Sequence, residues 1–123
     1  MELALSPLGH TWILDLDGTI VKHNGYKIDG HDTFLEGAEE FLKSIPEDDM
    51  IIFLTSRKLE YKELTESFLK DHGIRYDHII YEAPYGERIL MNDDKPSGLC
   101  MATAIGLKRN DAINMSIRID MDK

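Results

Sequence analysis

At 123 residues the chain has the length of one domain and can bury a core without disulfide or metal staples. Its 14 Lys and Arg against 23 Asp and Glu give a net charge of −9, which excludes nucleic acid as a general partner and leaves anion binding to a local device. The one cysteine, Cys100, rules out an internal disulfide, and no apolar run reaches the ~20 residues that span a bilayer, so the expectation is a cytoplasmic chain with no signal peptide and no membrane partner.

The apolar clusters run from end to end and predict a single domain, 1–123. Residues 11–16, TWILDL, predict a first strand. Residues 20–33 mix a few β-branched residues with Gly, Asn and Asp, and predict a loop or short flap. Thr33 and Glu36 have capping-box spacing. Ala38, Phe41, Leu42 and Ile45 then recur as one helical stripe that Pro46 ends. MIIFL at 50–54 predicts a buried strand. After TSR, a second helix is expected from Leu59 to His72, with Tyr61, Leu64, Phe68 and Leu69 on its apolar face and Gly73 as its stop.

HIIYE at 78–82 and RILMN at 88–92 predict a third and a fourth strand. MATAIGL at 101–107 reads as a fifth, with a helical piece as the alternative, and the tail from Asn110 reads as helical at its start. Strands alternating with helices predict an α/β fold with a central parallel sheet and helices on both faces.

In such sheets ligands bind beyond the carboxyl ends of the strands. There the pattern places Asp15 and Asp17 after the first strand, Thr55 after the second, and Asp93 and Asp94 after the fourth. Two carboxylates ~4 Å apart repel by about 1 kcal/mol in water and about 4 kcal/mol at an effective dielectric of 20. A hard cation with oxygen ligands, Mg²⁺ most naturally, offsets that repulsion and lets a carboxylate approach a phosphate. A neighbouring carboxyl can move protons, and Thr55 with the turn N–H groups can bind phosphoryl oxygens. A calcium loop starting at Asp15 is disfavoured, since Tyr26 stands at the twelfth position, where a Glu would be needed. The five histidines lack metal spacing, and Cys100 has no basic neighbour in the pattern.

DLDGTI, LTSR and NDDKPSG, in this order and each after an apolar strand, resemble the haloacid dehalogenase (HAD) superfamily of phosphotransferases. Over residues 11–107 the chain looks most like its small, nearly capless phosphatases, including members linked to capsule and other polysaccharide biosynthesis. The resemblance implies a Rossmannoid three-layer sandwich with a minimal cap. It implies Asp15 as nucleophile, forming an aspartyl-phosphate and binding Mg²⁺, and Asp17 as general acid/base with its carbonyl on the metal. It implies Thr55, with Ser56 and Gly18, as phosphate-binding, and Asp94 as the acidic metal ligand with Asp93 beside it or reaching the metal through water.

The family also needs a Lys or Arg beside the nucleophile. Related small members often have a Lys before a Pro, but here Ala83 precedes Pro84. Lys58, Arg88 and Lys95 are the candidates. Lys58 is favoured for its place after the second strand, whereas Arg88 would begin the fourth strand, ~16 Å from Asp93. The expected function is Mg²⁺-dependent hydrolysis of a small phosphorylated substrate, a sugar phosphate or related metabolite, in an open site that a second copy of the chain could close. The alternatives are a binding domain for a phosphorylated ligand or partner without turnover, and a phosphotransferase.

Overall fold

The computed structural model describes all residues, 1–123. In chain order it contains β1 (Glu2–Leu5), β2 (Thr11–Leu14), α1 (Gly25–Ile28), α2 (Ala38–Ser44) and β3 (Met50–Leu54). A 3-10 turn (Leu59–Tyr61) then leads into α3 (Lys62–Asp71), followed by β4 (His78–Ile80) and β5 (Ser116–Ile119). The result is a small α/β fold with two parallel sheets, ordered β2-β3-β4 and β1-β5. No helix is long and apolar enough to cross a membrane.

The register sets Trp12 beside Ile51, and Leu14 beside Phe53 and then Ile79. Because strand side chains alternate, this row forms one face. It turns inward: Ile51 and Phe53 are fully buried and join Leu16, Phe41, Leu42 and Leu69 in one apolar cluster. The other face is more open, with Ile13 52% and Ile80 51% exposed.

The stripe Ala38, Phe41, Leu42 and Ile45 is buried as its spacing predicts. The expected capping box at Thr33 and Glu36 is not formed. The helix starts after Gly37, whose φ of 80° and lack of a side chain let Ile113 pass against it. Ile113 N–H donates to the Glu36 carbonyl, so the tail decides where α2 begins. The second helix lies within its expected span, its first turn being the 3-10 helix Leu59–Tyr61, and it ends at Gly73 in a Schellman motif, with Gly73 N–H bonded to Lys70 O and Ile74 N–H to Leu69 O. Its buried face carries Thr65 in place of Leu64, which is exposed.

The second half departs from the expected strands. Residues 81–115 contain neither helix nor strand, so RILMN and MATAIGL are coil. Ile89 and Met91 are 84% and 90% exposed. For RILMN the reason is chain length: β4 ends at Ile80, and a parallel neighbour needs a crossover of about a dozen residues or more, more than the chain allows before Arg88. The tail is also no helix. Its β-branched run SIRI pairs with β1, Glu2 opposite Ser116 through Leu5 opposite Ile119.

Candidate functional site

β2 stops at Leu14, and the chain turns sharply around Leu16, which is buried while its carbonyl accepts from the N–H groups of Thr19, Ile20 and Val21. This throws Asp15 and Asp17 outward at the carboxyl edge of the sheet. Asp15 is partly exposed and held from both sides. Thr19 donates its hydroxyl to Oδ2 at 3.0 Å, and Arg88 donates Nη1 to Oδ1 at 2.9 Å. The same Nη1 reaches the Leu54 carbonyl at 3.1 Å, which pins Arg88 to the end of β3.

Asp17 is held by Arg57, which follows β3. Nε and Nη2 each donate to one of its oxygens at 3.0 Å. On its other side Arg57 grips Asp32 by Nη1 at 2.9 Å and Nη2 at 2.7 Å, and donates Nη1 to Thr65 Oγ1 at 2.9 Å. These bonds use all the guanidinium donors. The Tyr26 ring closes over the group, 4.0 Å from Cζ to the ring centroid. Arg57 is 3% exposed, and burial alone would lower its pKa, but the bonds from Asp32 and Asp17 more than reverse this and raise it. Burial, and then the Asp17 charge, push the Tyr26 phenol up.

A cleft of about 600 Å³ opens over these groups. Its acids are Asp15 and Asp17, and its cations are Lys27, Arg57, Lys58, Arg88 and Arg109. On a chain of net charge −9 this is a local inversion of sign. Arg109 arrives from far along the chain. Asn110 N–H donates to Gly18 O at 2.8 Å, and Asn110 Oδ1 accepts from His23 N–H at 2.7 Å. Arg109 therefore packs against Gly18, where an added Cβ would lie 3.0 Å from Arg109 Cγ. A larger groove of about 840 Å³ along α3 has mixed charges and no convergent set of reactive groups.

Of the residues expected from sequence, Asp15, Asp17, Ser56 and Lys58 line the cleft. Thr55 does not: it is 1% exposed, and its Oγ1 accepts from Arg57 N–H. Gly18 is also withdrawn, since its N–H donates to Val21 O. The cation that reaches Asp15 is Arg88 rather than Lys58, because without a fourth strand nothing holds Arg88 at the far edge. Lys58 extends toward Tyr85 instead, 6.0 Å from its ring centroid. Lys95 and Asp93 are exposed and lie outside the cleft. So does Asp94, which accepts from Met101 N–H.

The expected Mg²⁺ ligands are therefore not assembled. Arg88 and Thr19 take the oxygens of Asp15, Arg57 takes those of Asp17, and no group of three His, Cys, Asp or Glu is placed to hold a metal ion. The residues as arranged do not fit the ion.

Sequence reasoning gave no role to Arg57, Asp32, Tyr26, Lys27 or Arg109. For Arg57 a signal existed: an arginine on the loop that follows a strand ending beside two acids needs partners once buried. Comparison with protein-family models, with curated proteins and with solved structures finds no match to this chain.

Proposed function

We propose that the protein is a HAD-type phosphatase, hydrolysing a phosphate monoester of a sugar or related metabolite through Asp15 on a minimal, nearly capless version of the Rossmannoid sandwich. What carries the reading is Asp15 itself: a partly exposed carboxylate at the end of a parallel strand, oriented by Thr19 and Arg88 in a cationic cleft of an acidic chain.

A carboxylate oxygen of Asp15 attacks phosphorus, and the bond from phosphorus to the ester oxygen breaks. Arg88 uses only Nη1 within the protein, so its Nε–H and Nη2–H groups are free to take phosphoryl oxygens and offset the charge that builds up there. The leaving oxygen takes a proton from solvent at the open mouth. Water then attacks the aspartyl-phosphate, Asp17 accepts its proton, and the bond from phosphorus to Asp15 breaks to release inorganic phosphate. Arg57 fixes the position of Asp17 at the cleft for that role, and the pairing gives no support to the donor half of the general acid/base role. No step here runs through Mg²⁺.

The test is release of p-nitrophenol from its phosphate ester, with and without Mg²⁺, by the wild type and by Asp15→Asn. Activity lost in the variant supports the reading, and undiminished activity there overturns it. A second reading, a phospho-ligand-binding domain without turnover, is favoured by the arginines that engage both aspartates. It predicts that inorganic phosphate raises the melting temperature while a broad ester panel yields no product. Added alcohols that become phosphorylated would instead identify a phosphotransferase.

A further inference from the structure

We propose that the ligand of this cleft carries two anionic groups: a phosphate at Asp15 and Arg88, and a second phosphate or carboxylate held by Lys27, Lys58 and Arg109. The inference rests on the phosphate-monoester reading and adds the class of substrate to it.

The cations divide into two sets. Arg57 has every donor engaged by Asp17, Asp32 and Thr65, so it offers nothing to a ligand. Arg88 sits on Asp15 with free N–H groups and is placed to serve the reacting phosphate. Lys27, Lys58 and Arg109 line the same cleft and form no ion pair, although the chain has an excess of carboxylates to offer them. They come from three separate segments, namely α1, the loop after β3 and the turn before Asn110.

Their placement is also structured. Lys27 Nζ lies against the Tyr26 and Tyr61 rings, 5.6 and 5.9 Å from their centroids. Arg109 is delivered by the two hydrogen bonds of Asn110 and packs on Gly18. Beside it, His23 Nδ1 is buried with no hydrogen-bond partner, a polar atom left over at the cleft wall.

The cleft is of a size to take a whole small ligand, since such pockets span about 300–1,000 Å³. Ordinary ligand pockets are mostly apolar. This one has no aliphatic side chain in its lining, so what binds beyond the reacting phosphate is itself polar and charged. A long polyanion is a poor occupant, because outside the cleft it would run onto the acidic remainder of the chain.

The test is calorimetric binding to Asp15→Asn, comparing fructose 6-phosphate with fructose 1,6-bisphosphate, and glucose 6-phosphate with 6-phosphogluconate. The doubly anionic member should bind roughly tenfold more tightly, the size of one charge-assisted contact. Preference in the first pair selects a second phosphate, and preference in the second pair a carboxylate. Lys27→Gln, Lys58→Gln and Arg109→Gln, all at exposed positions, should each reduce the ratio, and together bring it to one. In the wild type, added salt should weaken the doubly anionic ligand more than its partner, a readout that needs no variant.

Equal affinities within both pairs, a ratio that survives the triple variant, or tighter binding of a 5′-phosphorylated oligonucleotide would overturn the inference. The two proposals fail separately. Turnover of an aryl phosphate with no preference for a second anion overturns this inference and keeps the phosphatase. The preference without turnover of any ester keeps the inference and overturns the phosphatase.

Discussion

Arg57 holds Asp17 by two parallel hydrogen bonds of 3.0 Å, Nε to Oδ2 and Nη2 to Oδ1, while its far side holds Asp32 in the same two-bond manner. One buried cation thus ties the loop after β2 to the loop after β3 and to the segment before α2. Desolvating these charges is costly and is offset only because every guanidinium donor has a partner.

Breaking that network is expected to be severe. Arg57→Ala leaves Asp32 buried without its cation and should cost about 3–5 kcal/mol in urea unfolding. Arg57→Lys keeps the charge but cannot make both two-bond pairs, and should recover only part of the loss. Unchanged stability in Arg57→Ala would show that the network does not hold these loops.

The two candidate cations should separate kinetically. If Asp15 works on phosphate monoesters, Arg88→Ala removes the group on its carboxylate and should lower kcat/KM for an aryl phosphate by about 10²-fold or more. Lys58→Ala, at a side chain turned toward Tyr85, should lower it much less. The reverse order would return the role to Lys58.

Asp93 and Asp94 offer a direct check on the metal. Both lie outside the cleft, so Asp94→Asn should leave aryl phosphate hydrolysis and its response to Mg²⁺ as they are in the wild type. Loss of a Mg²⁺-dependent activity in that variant would mean that residues 81–115 rearrange around Asp15 in the working enzyme.

At the opposite edge of the sheet, Asp49 predicts an acid-range effect. Burial alone would raise its pKa, but hydrogen bonds from the Trp12 indole and from His10 outweigh this and hold it below the ordinary 3.8. A depressed carboxylate contributes stability that is present above its unfolded value and is lost as pH falls through its folded value. Wild-type stability should therefore decline as pH drops below about 4, and Asp49→Asn should lack that component of the decline. Parallel acid profiles by chemical denaturation would refute this.

Gly37 and Gly73 form a matched pair. Both have left-handed φ values, 80° and 68°, so alanine at either should cost about 1–2 kcal/mol of backbone strain. At Gly37 the new Cβ would also lie 2.1 Å from Ile113 O, whereas at Gly73 it meets nothing within 4 Å. Gly37→Ala should therefore lower the melting temperature clearly more than Gly73→Ala, and equal shifts would argue against the docked tail.

The α/β class, β3, the buried stripe of α2, the span and stop of α3, and the outward placement of Asp15 and Asp17 could all be read from the sequence. Each depends on periodicity, capping or turn chemistry within about twenty residues, where the chain's own geometry limits the choices. The coil at 88–92 and the strand at Ser116–Ile119 could not, because an apolar run becomes a strand only where a ladder partner lies within reach. The site divides in the same way. Local pattern put the two aspartates at the sheet edge, but their cations come from 40 and 73 positions away, in Arg57 and Arg88. Which charge meets which carboxylate is a property of loop closure and burial across the whole molecule, and only the tertiary structure decided it.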